Sequence, residues 1–99
     1  MIIPDVAFDL DIPNEGILSR VLFKNDMVRL VGFAFDSGQE LTEHTAARPI
    51  IVQVVSGTVD FVVGEETTRM GPTSWCYLDA SVAHSVLAVE PSRLLLTLL

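Results

Sequence analysis

Residues 38–57 read GQELTEHTAARPIIVQVVSG. The second half decides the fold. Ile50 to Val55 is apolar except for Gln53 and rich in β-branched side chains, and it is bounded by Pro49 and by Ser56-Gly57. Such a run, too short for a buried helix and closed at both ends by turn formers, reads as a strand packed inside a sheet sandwich or barrel. Residues two apart on a strand share a face, so Ile50, Val52 and Val54 are expected to line the interior while Gln53 faces the other way. One of the chain's two histidines, His44, precedes this strand; the other, His84, follows the turn-forming cluster Asp79-Ala80-Ser81.

Outward from this stretch, short apolar runs alternate with turn chemistry. On the N-terminal side the expected strands are Val6 to Leu10, Ile17 to Phe23 and Met27 to Phe35. They are separated by Pro13-Asn14-Glu15-Gly16 and by Lys24-Asn25-Asp26, and Gly32 is expected to mark a bend or bulge in the third. On the C-terminal side Val59, Phe61 and Val63 alternate at period two and run into Gly64-Glu65-Glu66, read as a solvated hairpin turn. Thr67 to Met70, Trp75 to Leu78, His84 to Val89 and Ser92 to Leu99 follow. No window of a dozen residues keeps helical spacing free of Gly and Pro. Nine or ten short strands with regular turns predict one all-β domain over residues 1–99, a sandwich, barrel or jelly roll.

Composition narrows the partners. Thirteen Asp and Glu against six Lys and Arg give a net charge of −7, which argues against nucleic acid and anionic membrane surfaces, because no basic stripe can neutralise phosphates. Cys76 stands alone, so no internal disulfide or thiolate zinc site is expected. The Met-Ile-Ile-Pro-Asp start does not read as a signal peptide, and the apolar tail Leu94 to Leu99 is far shorter than the about 20 residues a membrane helix needs; a cytoplasmic protein is expected. A hydrophobic fraction of 49% is more than so small a domain hides alone, which predicts a homodimer.

The order of glycines and histidines resembles that of the cupins, small double-sheet jelly-roll barrels, also described as double-stranded β-helices. Their first motif runs Gly, five residues, His-x-His, a gap, Glu, six residues, Gly; here Gly38, His44 and Gly57 match it over residues 38–57. Their second motif is Gly, a strand, then Pro-x-Gly-x-x-His. Over residues 73–88 only His84 matches, with Thr73, Asp79 and Ser81 at the Gly, Pro and Gly positions. The resemblance implies a metal shell of three His and one Glu. Two of those positions are Ala46 and Ile50 here, so an apolar lining replaces half of the shell.

The resemblance therefore makes His44 and His84 the surviving pair of a pocket also lined by Ala46, Ile50, Val52, Phe33, Trp75 and Tyr77. Both are also the only metal ligands it offers, should a divalent metal (Zn, Fe, Mn or Ni) bind. Two ligands fall short of the four of structural zinc, the three of catalytic zinc and the two-His-one-carboxylate set of non-haem iron, so no tightly bound cofactor is expected. Glu43 would face inward only through a bulge, and Asp60 is expected to face water. Trp75 and Tyr77 share a face and form either an aromatic wall with Phe33 and Phe35 or part of the core or dimer interface. Cys76 reads as an inert core thiol. Arg29 either faces inward towards a carboxylate ligand or sits at an edge or interface. The leading expectation is a protein that binds a small, partly apolar organic molecule between its sheets with His44 and His84 as polar anchors. A metal-dependent oxygenase or isomerase, metal-free acid–base catalysis and a purely structural role stand beside it.

Overall fold

A computed structural model describes residues 1–6 and 9–99 of the chain. Among them nine strands form: β1 Ile17–Lys24, β2 Arg29–Phe35, β3 Glu40–His44, β4 Ile50–Ser56, β5 Val59–Val63, β6 Glu66–Met70, β7 Trp75–Leu78, β8 His84–Ala88 and β9 Ser92–Leu98. They make two antiparallel sheets, one of five strands in the order β1-β2-β9-β4-β7 and one of four in the order β3-β8-β5-β6. The all-β jelly-roll expectation holds.

Alternation along the strands sets the interior. In the five-stranded sheet Val54, Leu94 and Phe33 stand in one inward row, and Cys76, Val52, Leu96 and Val31 in the next. The four-stranded sheet answers with Val59, Phe61, Met70, Val86 and Ala88, all buried. Burying each Ile, Leu, Val or Phe side chain contributes about 1.5–3 kcal/mol, which is why the β4 run is decisive for so short a chain.

The first expected strand does not appear among the described residues. Val6, Asp9 and Leu10 lie in turns and bends, and Ala7 and Phe8 lie outside the described residues. Leu10 is fully buried on the outer face of the five-stranded sheet, where Arg93 Nε donates a 2.8 Å hydrogen bond to its carbonyl. Gly32 makes this possible. It pairs regularly with both Arg20 and Leu95, and the bulge expected there sits instead in β1, between Val21 and Phe23. A Cβ on Gly32 would stand 2.5 Å from Leu10 and 2.8 Å from Leu22, so the glycine is a seat for two leucines rather than a bend.

Gly57 is required for two reasons. Its φ is +81°, and an added Cβ would run into the Ser92 hydroxyl and the Pro91 carbonyl. Ser92, fully buried, uses that hydroxyl to accept from Thr58 N at 3.0 Å and to bond the Glu90 carbonyl at 2.7 Å, so it cannot move aside without orphaning polar groups. The opposite situation holds at Thr73 (φ +77°) and Ser81 (φ +68°), the positions where the second motif would carry glycine. The backbone keeps the glycine conformation there although the side chains do not favour it, and for β-branched Thr73 this is an outlier.

Glycine substitutions should therefore act with opposite signs in urea unfolding. Gly57→Ala is expected to lose more than about 2 kcal/mol from the left-handed backbone and the overlap together. Thr73→Gly and Ser81→Gly each relieve about 1–2 kcal/mol of backbone strain against about 0.5–1 of added chain entropy, a net gain of up to about 1.5 kcal/mol. Gly71→Ala, with open space around its Cβ position, is the neutral control. A tolerated Gly57→Ala or a destabilising Thr73→Gly would contradict the account.

Candidate functional site

His44 reaches the interior through a bulge. β3 pairs with β8 as Glu40 with Leu87 and Leu41 with Val86, then slips one residue so that His44 faces His84. Without the slip, Glu43 would share the inner face with Leu41 and His44 would point to water; with it, Glu43 stays exposed and His44 turns in. The carbonyl of Thr42, inside the bulge, lies 2.7 Å from His44 Nδ1. His84 is aimed by the turn before it. Ser81 N donates to the Ala46 carbonyl at 2.8 Å, and the Val82 carbonyl lies 2.9 Å from His84 Nδ1.

The two rings sit edge to face with centroids 4.2 Å apart, and Phe61 stacks on His84 at 5.8 Å. A backbone carbonyl only accepts, so each Nδ1 carries the proton and donates it. In the neutral rings each Nε2 is then left with a lone pair, able to accept a hydrogen bond or a proton. His84 is 2% exposed, and burial, with His44 beside it, lowers its pKa from 6.5 despite the Val82 carbonyl. It is neutral at pH 7.

Beyond Phe61 the space between β6 and β7 opens into a cavity of about 490 Å³. Its apolar floor is Phe61, Val63, Met70 and Leu78, with the Cys76 thiol among them. Burial pushes that thiol's pKa up, so it stays protonated. Glu66 and Thr68 stand on the same face of β6 as Met70, opposite Val63 and Phe61. Glu66 is thus not only part of a solvated turn. The turn is the two-residue Gly64-Glu65, with Gly64 at φ +60°, and the residues flanking it pair and share the inner face.

Of the other expected pocket residues, Ile50 and Val52 are buried in the interior and Ala46 packs against the core. The aromatic wall does not form. Phe33 lies 6.0 Å from Phe35 on the inner face of β2, whereas Trp75 and Tyr77 pair with Gln53 and Ile51 on the outer face of β7 and are 60% and 45% exposed. Cys76 and Leu78 take the inward positions of that strand because they align with Val52 and Ile50. Trp75 still borders the cavity at its rim. Arg29 is exposed at the end of β2. Asp60 faces out and holds Arg69 in a two-pronged ion pair at 2.9 and 3.2 Å.

Solved structures match this arrangement. A conserved protein of unknown function from Streptococcus pyogenes superposes with a TM-score of 0.87 at 26% identity, over 98% of this chain and 85% of its own. An RmlC-like cupin from Desulfovibrio desulfuricans gives 0.87 at 21% identity, over 98% and 94%. A cupin superfamily protein from Desulfitobacterium hafniense gives 0.86 at 17%, over 91% and 83%. The chain has the fold of a small cupin barrel. No protein-family model matches its sequence, and no curated protein sequence does either.

Within this cupin fold the two histidines are the only motif ligands present. Ala46 and Ile50 bring no donor, and among the described residues no three His, Cys, Asp or Glu side chains converge. What the pair offers is two imidazoles fixed at Nδ1 behind Phe61, which stacks on His84 on one side and lines the cavity on the other.

The buried neutral His84 gives a pH dependence of stability. Because its folded pKa is lowered, the unfolded chain takes up a proton first. Stability is full above about pH 6.5 and falls as pH drops from there towards the lowered value. Asp36 and Asp60, held low by the Glu15 and Ser37 amides and by Arg69, act only below the ordinary carboxylate range. Unfolding free energies from pH 7.5 to 5 should therefore decline in the native chain and decline less in His84→Gln, with His44 kept in both. Parallel curves would show that His84 is not buried in its neutral form.

Proposed function

We propose that this cupin barrel binds a small, partly apolar organic molecule between its sheets, with His44 and His84 as polar anchors and without a firmly bound metal. The observation that carries this reading is the cavity of about 490 Å³ whose floor residue Phe61 stacks on His84. That volume lies in the range of small-molecule sites, which are largely apolar with a few fixed polar groups. The reaction class, if the site is catalytic, would be proton transfer by an imidazole, since His84 is neutral at pH 7 and its Nε2 is unprotonated.

A second reading, a divalent-metal enzyme, is favoured by one feature: both Nδ1 atoms are tied to backbone carbonyls, the way ligating histidines are commonly oriented. It needs a third ligand from substrate or water. Elemental analysis of untagged protein, beside a His44→Ala, His84→Ala double variant, separates the two. The proposal expects well under one metal per chain, and polar aromatic fragments that raise the melting temperature of the native chain but not of the variant. About one metal per chain, lost in the variant, would overturn it.

The proposal includes a second copy of the chain docked on the outer face of β7. Exposed Trp75 and Tyr77 beside Gln53 support this, as does β7 being an edge strand with one row of backbone groups free to pair. Light scattering at micromolar concentration should read twice the mass of the chain, and that of one chain for Trp75→Ser with Tyr77→Ser. A monomeric native chain would sink this part of the reading.

A further inference from the structure

The cavity carries a charge that nothing balances. Of its lining residues only Glu66 and Arg69 are ionised, and Arg69 is spent on Asp60, which stands on the outward side of β5. Glu66 stands on the inward side of β6, and among the described residues no hydrogen bond or ion pair engages its carboxylate. The Cys76 thiol is neutral, and the Ser74 hydroxyl already accepts from Gly71 N at 3.1 Å. Thr68, next inward on β6, adds a hydroxyl. The lining is therefore a carboxylate and a hydroxyl above an apolar floor of Phe61, Val63, Met70 and Leu78.

We infer that the cavity selects cationic ligands: a primary amine or similar cation, carried on a compact apolar body, with the cation on Glu66 and the body on Phe61 and Met70. This rests on the proposed ligand site between the sheets and gives it a chemical class. Three points support it. An acceptor-only carboxylate facing apolar surface rewards a donor that is also positively charged. A chain of net charge −7 repels anions and raises the local concentration of cations. His84, on the far side of Phe61, adds no charge of its own, because burial keeps it neutral. Glu66 lies two strands from His84 in the four-stranded sheet, about 9–10 Å at the backbone, so the charge sits apart from the buried imidazole.

The test uses three probes of similar shape, 2-phenylethylamine, 2-phenylethanol and 3-phenylpropionate. Each is titrated into the full chain and followed by the emission of Trp75, the single tryptophan, which borders the cavity. The amine is expected to bind about 1.5-fold to fivefold more tightly than the alcohol, the range of a solvent-accessible ion pair, and the carboxylate more weakly than either. Glu66→Gln should erase the preference for the amine and leave the alcohol unchanged. Thr68→Phe, which fills the cavity from the same strand, should weaken all three. If amine and alcohol bind equally, or Glu66→Gln changes neither, the cationic class is wrong while the cavity remains a ligand site. If the carboxylate binds best, the class is reversed. If no probe binds while native-state melting is intact, the ligand site itself fails, and this inference with it.

Discussion

β4 and β9 lie side by side in the five-stranded sheet, and the rows that run through them set the inside of the molecule. Leu94 meets Val54 and Leu96 meets Val52, and each row continues into β2 on one flank and, at Val52, into Cys76 on the other. A strand has period two, so fixing which of these residues face in fixes every partner in the sheet. Placing Gln53 inward would bring Ile51 and Val55 in with it in exchange for Ile50, Val52 and Val54, so the interior would lose one valine and gain an amide with no partner assured.

The site exists because the backbone departs from regularity where the pattern alone would misplace it. The slip in β3 rotates His44 through half a turn, from the water side to the inner face. The turn at Ser81 holds a left-handed backbone that its side chain does not favour and uses its amide to tether the Ala46 carbonyl. Both devices bring a carbonyl onto an imidazole Nδ1. The two rings consequently share a tether as well as a position, and burial with His44 beside it favours an uncharged His84.

Burial and exposure divide the charges in the same way. Asp60 and Arg69, neighbours across β5 and β6, satisfy each other on the outer face. One residue of alternation away from each position, the inner face holds Phe61, Val63 and Met70, with Glu66 at the lip. The Glu66 carboxylate in that place borders the same cavity as the apolar floor. The same alternation turns Trp75 and Tyr77 outward on β7.

The all-β class, the interior set Ile50, Val52 and Val54, and the outward Gln53 and Asp60 were legible in the chain, because period-two alternation and turn residues are local signals. The meeting of His44 with His84 followed only from the resemblance of the two motifs, since regular alternation in β3 would turn His44 to water. Two further features could have been read and were not. Treating Gly64-Glu65 as a two-residue turn puts Glu66 in register with Val63, and aligning Cys76 rather than Trp75 with Val52 sends the aromatics outward. The strand expected at Val6 to Leu10 does not appear among the described residues, for a different reason. Leu10 is buried against a glycine 22 positions later, a seat that no local pattern announces. The β3 slip, the left-handed Thr73 and Ser81, and the cavity beyond Phe61 likewise belong to the tertiary structure alone. Each depends on how two sheets close over one another, and strand alternation gives the face of a residue but not its distance from the opposite sheet.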